Sequence, residues 1–341
     1  MKKRQRVGLW IGIICLCIGM FVTGMAYLVL FSKTFQITNN TYLYIDEDDN
    51  LDSVKIKLNE NALPKTVIGF DILAYWKEYK VKSGRYEITP NDNILSVFQR
   101  VHRGQQTPIM LTVPSVRTIP QLAHALDKKL MIDSTSIARY LTDSTVCKEY
   151  GYEPQTIACI FIPNSYEVYW NISVEAFIQR MKKEYDHFWN EERMRKAKAL
   201  KMSPIEICTL ASIIDEETKK NGEKPMVASM YLNRLRIGMP LQADPTVKFA
   251  LQDFALRRIY YKHLDIDSPY NTYKNKGLPP GPIRIASIAG IDAVLNHETS
   301  NYLYMCAKED FSGYHNFART YREHKNNANK YVKALNKRGI K

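Results

Sequence analysis

The sequence predicts an α+β protein: an N-terminal transmembrane helix, then a small α+β region, then a mixed α+β C-terminal domain. Three observations carry this. An uncharged apolar run extends from Val7 to Phe31. Short period-two segments alternate with short helical patterns over the next hundred residues. Longer amphipathic helices broken by Pro- and Gly-rich turns fill the rest.

The apolar run exceeds the roughly 20 residues needed to cross a bilayer core. Lys2, Lys3, Arg4 and Arg6 precede it, and no small-x-small cleavage site follows it. A retained, single-pass anchor is expected, with the N-terminus in the cytoplasm and everything after Ser32 outside. Residues 1–6 are then a cytoplasmic tail, 7–31 the transmembrane helix and 32–41 a polar linker. The chain has 341 residues, 45% of them apolar and 24% charged, which is normal for a globular protein. The net charge of +13 suits an anionic partner. An exported basic domain seldom meets nucleic acid, so no nucleic-acid partner is expected, and a wall polymer or lipid remains.

From residue 42 to 130 small α+β units are expected. Strands are predicted at Thr41–Ile45, Gly84–Ile88 and Pro108–Val113. Helices are predicted at Leu51–Leu58, Ile68–Tyr79 and Asn93–Arg103, and again after Thr118. Gly104 fits the left-handed position past a helix end. Residues 131–200 form a helical connecting region, with one long helix from about Ser173 to Lys201. Its aromatics, Phe177, Tyr185, Phe188 and Trp189, suit a core better than a sugar platform. There is no Cys-x-x-Cys pair and no His cluster with metal-ligand spacing, so no cofactor or metal is expected. An oxidising compartment would permit a Cys147–Cys159 disulfide, while Cys208 reads as a core residue.

Residues 201–341 carry the chemistry. In SPIEICTLASIIDEETKK, Ser203 and Glu206 form a capping-box pattern with Pro204 at the first helical position. The apolar stripe Ile207, Leu210, Ala211, Ile214 continues in step to Glu217. Asp215, Glu216 and Glu217 point about 100° apart, and only Glu217 extends the inward stripe. An acid at the edge of an apolar face loses solvation, its pKa rises, and it can hold the proton that glycosidic cleavage needs. The plainer alternative is that Glu217 pairs with a nearby Lys or Arg. A second amphipathic helix, about Lys224 to Arg236, closes at Gly238 and brings Asn233 and Arg234. A turn-rich run at 238–251 follows, with Gln242, Asp244 and Thr246. Then come Tyr270, Asn271, Thr272 and Tyr273 ahead of a stiff Pro-Pro-Gly-Pro loop. Such loops suit a sugar-binding cleft, although each group alone fits an ordinary turn.

LASIIDEET at 210–218, VASMYLNRL at 227–235, LQADPT at 241–246, SPYNTY at 268–273, GLPPGPI at 277–283 and HNF at 315–317 together resemble the endolytic murein transglycosylase (YceG-like) family. KSGRYEITP at 82–90 resembles the entry to that family's LysM-like region, and Pro163-Asn164 sits where the family often has a turn. The resemblance implies a single-pass membrane protein with a LysM-like region and a catalytic domain. It implies cleavage of the MurNAc–GlcNAc β-1,4 bond within glycan strands without water, leaving 1,6-anhydro ends. It implies peptidoglycan strands as substrate, peptidoglycan synthases as neighbours, and the glutamate before Thr, Glu217, as catalytic acid/base. Asn233, Arg234, Gln242, Asp244, Thr246, Tyr270, Asn271, Thr272, Tyr273 and His315 are the candidate substrate-binding residues. His315 and Arg234 have structural roles as alternatives. Two rivals stay open: a two-carboxylate muramidase using Asp244, and a non-catalytic membrane-tethered peptidoglycan-binding scaffold.

Overall fold

The computed structural model describes residues 2–256 and 258–339. The side chains of residues 2–6 are not among those described, so the basic cluster lies outside them, as do the last two residues of the expected catalytic domain. Helix α1 (Lys2–Phe31) contains the 25-residue stretch Val7–Phe31, long and apolar enough to cross a membrane and not buried by the rest of the chain.

The described chain divides into two compact units, residues 1–110 with 167–172, and residues 111–166 with 173–341. In the first, β1 (Thr41–Ile45) is followed by α2 (Leu51–Ala62), α3 (Ile68–Trp76), β2 (Gly84–Ile88) and α4 (Ile94–Arg103). The two strands pair antiparallel with Leu43 opposite Tyr86. Leu43, Ile45, Leu58, Phe70, Tyr86 and Phe98 fill the core beneath them. Asn93 caps α4, and Gly104 ends it at φ +71°, as its left-handed role requires. The first part of the segment expected to be a polar linker is docked on this unit. Thr34 and Phe35 are buried, Phe35 bridges to Pro64, and the Gln36 N–H donates to Leu63 O at 3.2 Å. Burying the Phe35 ring explains this, since an aromatic side chain gains about 1.5–3 kcal/mol by leaving water.

β3 (Ile109–Thr112) leads to α5 (Ile119–Asp127), α6 (Ser134–Thr142) and α7 (Ser144–Glu149). Because α5 packs on α6, residues 111–130 belong with the helices that follow rather than with the small region before them. After a short turn of helix at Ile157–Ile160, β4 (Ser165–Val168) returns to pair with β3. The single helix expected over 173–201 is two, α8 (Val174–Phe188) and α9 (Glu191–Leu200). Asn190 breaks it: its extended backbone starts a new helix, and its side chain accepts from the Arg193 N–H. Phe177, Tyr185 and Trp189 are buried, as core aromatics should be. Cys147 and Cys159 are both free thiols.

The catalytic-looking stretch forms α10 (Pro204–Glu217), α11 (Lys224–Arg236), α12 (Asp244–Leu251) and the short α13 (Tyr261–Leu264). α14 (Ile288–Leu295), the hairpin β5 (Tyr304–Ala307) and β6 (His315–Ala318), and α15 (Tyr321–Lys337) follow. The Ser203–Glu206 capping box is made in both directions. α12 occupies much of what reads as turn: Pro245, second in the helix, pre-sets a helical φ in the first turn, and Asp244 adds an acid where the helix dipole favours one.

Candidate active site

The three consecutive acids at the end of α10 part company, as a 100° rotation per residue demands. Asp215 goes inward. It takes the Lys224 Nζ at 2.7 Å, the Ser287 N–H at 2.6 Å and the Ser287 hydroxyl at 2.7 Å. Both charges are almost fully buried. Gly290 lies so close that a Cβ there would stand 2.7 Å from Asp215 Oδ1. This knot ties α10, α11 and α14 together. Removing one partner strands a buried charge, so Lys224→Ala is expected to lower stability by about 3–5 kcal/mol. The double variant Asp215→Asn/Lys224→Met should lose much less, and denaturant unfolding of the three proteins checks it. Glu216 turns sideways, where Arg117 donates at 2.8 and 2.9 Å and Arg284 at 2.9 Å. Those guanidiniums outweigh the burial that opposes them and hold its carboxyl below the usual range.

Glu217 faces a cavity of about 340 Å³, a volume at the lower end for ligand sites. No Lys or Arg pairs with it among the described residues. Its one hydrogen-bond partner there is the buried Tyr231, whose hydroxyl donates to Oε1 at 2.7 Å. Burial pushes the Glu217 carboxyl up to about 7, and the nearby Asp244 charge adds to this. Tyr231, His315 and Arg234 pull the other way without cancelling it. Tyr231 is itself pushed up by burial and by Glu217, so it stays a donor.

Five of the sequence-selected residues line the same cavity: Arg234, Gln242, Asp244, Tyr273 and His315. Asp244 accepts from the Tyr273 hydroxyl at 2.6 Å. Gln242 is exposed and held at φ +50°, a left-handed conformation uncommon for a residue with a Cβ and a mark of functional loops. His315 is fixed by the buried Glu223, which accepts its backbone N–H at 2.6 Å and its Nδ1 at 2.9 Å. Arg234 spends its Nε on Leu303 O and its Nη1 on Leu241 O and Pro240 O. It therefore braces the wall and contributes positive charge there.

The other five serve the frame and do not line the cavity. Asn233 donates to Ser300 O and Tyr302 O. The fully buried Asn271 donates to Leu264 O and Ile266 O. Thr246 and Thr272 bond each other at 2.9 Å, and Thr272 also takes the Ala243 N–H. Tyr270 packs on Phe249, ring centroids 4.8 Å apart.

Sequence reasoning missed Tyr231, which stands within the quoted VASMYLNRL motif, and the far wall from β5 and α15. There Tyr304 stacks on His324 at 5.4 Å, Tyr321 stands 6.0 Å from Tyr304, and the Arg234 guanidinium lies 5.5 Å from the Tyr304 ring centre. The β5–β6 pairing and the hydrogen bonds of Asn233, Arg234 and Glu223 bring this wall to Glu217, and no local spacing announces that.

Comparison with known proteins finds relatives of the whole chain. The chain is 29% identical to the endolytic murein transglycosylase of Bacillus subtilis, over 94% of this chain and 92% of that protein. It is 26% identical to the endolytic murein transglycosylase of Streptococcus pneumoniae over 77% of this chain, spanning about half (53%) of that longer protein. The crystal structure of a YceG-like protein from Listeria monocytogenes superposes with a TM-score of 0.56 at 27% identity, covering 85% of this chain and 99% of that one. The sequence model of the YceG-like family matches residues 43–330, most of the length, and the chain belongs to that family.

Proposed function

We propose that this protein is an endolytic peptidoglycan lytic transglycosylase, with Glu217 acting first as acid and then as base. The single observation that carries the reading is a carboxyl raised to about 7 at the wall of an open cavity, hydrogen-bonded by Tyr231 and paired with no cation among the described residues. Family membership and relatives named endolytic murein transglycosylases support it.

In this mechanism Glu217 gives its proton to the glycosidic oxygen as the bond from C1 of MurNAc breaks. An oxocarbenium-like sugar develops. The C6 hydroxyl oxygen of the same sugar closes onto C1, and its proton passes to the Glu217 carboxylate. The group ends as it began, and no water is consumed. Tyr231 fixes which carboxylate oxygen faces the bond. Gln242, Asp244 with Tyr273, and His315 position the sugar. The hydrolytic alternative would give Asp244 a water to activate, but its Oδ1 is already engaged by Tyr273.

We also read α1 as a single-pass anchor with the N-terminus in the cytoplasm, and the first unit as the LysM-like part that holds glycan. The length and exposed apolar surface of α1 support the anchor. The closed β1–α2–α3–β2 core supports a self-standing first unit. In cells the substrate would be strands near the membrane, beside the synthases that make them.

The test is digestion of long uncrosslinked strands followed by chromatography of product length over time. Interior cutting predicts an early spread of intermediate lengths. Steady release of disaccharides from one end would overturn the endolytic reading. Tyr231→Phe removes a hydrogen bond that favours the ionised carboxyl, so the pH above which activity falls should move up by about one unit. An unmoved pH profile would mean that the tyrosine does not act on Glu217.

A further inference from the structure

Helix α3 is short and lopsided. Phe70 and Ala74 point into the first unit's core. Ile68, Ile72, Tyr75 and Trp76 recur at the spacing of one helix face, yet they are 60%, 46%, 84% and 78% exposed. Four large apolar side chains on two turns, uncovered by the chain, call for an occupant.

The position of α3 names that occupant. A Cβ at Gly69 would stand 2.9 Å from Ile94 Cγ2, 3.0 Å from Val29 Cγ1 and 3.2 Å from Leu30 Cδ2. The absence of a side chain at Gly69 thus seats α3 directly on the last turn of α1. That turn also joins the unit elsewhere: Phe31 O accepts from Asn93 Nδ2 at 3.4 Å, and Thr34 O accepts from the Lys65 N–H at 3.0 Å. With Thr34 and Phe35 buried, no loose tether separates the end of α1 from α3. Twenty-five apolar residues make a helix longer than the roughly 30 Å hydrocarbon core, so the final turn of α1 reaches the boundary between acyl chains and headgroups. The start of α3, at Gly69, is fixed at that same depth. Tyr and Trp are the side chains favoured there, and Lys65 and Lys77 stand exposed beside α3, suited to lipid phosphates.

We propose that the Ile68, Ile72, Tyr75, Trp76 face of α3 is a membrane-docking surface, lying in the lipid interface beside the point where α1 leaves the bilayer. The inference rests on reading α1 as the anchor. It makes the first unit a body held on the membrane at two places rather than a domain swinging on a stalk.

The test uses the full chain reconstituted into phosphatidylglycerol–phosphatidylethanolamine vesicles whose lipids are brominated near the headgroup end of the acyl chains. Of the four tryptophans, Trp189 is buried and Trp170 packs on Tyr44. The difference in emission between Trp10→Phe and Trp10→Phe/Trp76→Phe therefore reports Trp76. Loss of most of that emission to brominated lipid, with protection from aqueous iodide, is the expected result. Quenching by iodide and not by bromine would overturn the proposal. The difference in emission between Trp76→Phe and Trp10→Phe/Trp76→Phe reports Trp10, which stands in the first turn of the span, and its quenching in the same vesicles tests the anchor separately. If Trp10 also escapes quenching, the anchor reading fails and the docking surface falls with it.

Discussion

Replacing Glu217 by Gln is expected to abolish strand cleavage, a loss on the order of a thousandfold or more, while making the folded protein more stable at and above neutral pH. The two effects share one cause. Burial raises the folded-state pKa of Glu217 from 4.5 to about 7, whereas the unfolded chain releases this proton near 4.5. Below about 4.5 the carboxyl is neutral in both states and favours neither. As pH rises from there to about 7, the unfolded state is increasingly favoured, because only there is the charge hydrated. Above about 7 the full cost of a poorly solvated carboxylate is present, and Gln does not carry it. A gain of about 1–3 kcal/mol over wild type is therefore expected in that range, since a shift of one pKa unit corresponds to roughly 1.4 kcal/mol and the open cavity lets solvent offset part of it. Thermal melts of both proteins, below pH 4.5 and above pH 7, check the sign. A dead variant that is less stable at high pH would point to lost structure rather than lost chemistry.

The second large effect is the shape of the pH dependence. The free enzyme needs one proton, on Glu217, so kcat/KM should be level below about 7 and fall tenfold per pH unit above it. The proton returned from the C6 hydroxyl restores the starting state, so no second ionised group is required and no acid limb is expected near the carboxylate range. A two-carboxylate hydrolase would give a bell, because its base must be ionised. Asp244→Asn removes a negative charge that helps raise Glu217 and should move the falling limb to lower pH, opposite to Tyr231→Phe. Initial rates across pH on defined strands, for wild type and the two variants, decide this. A bell whose acid limb vanishes in Asp244→Asn would assign Asp244 the base role.

Local chemistry was legible in the sequence wherever it alone decides. The strands Thr41–Ile45 and Gly84–Ile88 and the starts of α4, α5 and α10 stand at the predicted residues, because alternation and caps act within a few residues of themselves. The 100° step that separates the three acids was legible too, but the inward stripe was not what set Glu217 apart. Ile207 to Asp215 are buried all round α10, and Asp215 is the acid that goes inward, because its partner Lys224 and the Arg117 of Glu216 lie 9 and 99 residues away. What depends on tertiary packing was not legible. Asn271 and Thr272 look like sugar-binding polar groups, yet buried polar side chains are needed equally to satisfy loop carbonyls and N–H groups. Nothing in their own sequence tells the two uses apart. The docking of Thr34 to Gln36 and the wall of Tyr304, Tyr321 and His324 likewise depend on partners distant in the chain.

The most direct test of the central claim is digestion of uncrosslinked glycan strands by wild type and Glu217→Gln in heavy-oxygen water, with mass spectrometry of the new chain ends. A lytic transglycosylase acting through Glu217 gives 1,6-anhydro-MurNAc ends from wild type alone, free of heavy oxygen. Reducing ends carrying one heavy oxygen atom, or equal cleavage by the Gln variant, would contradict it.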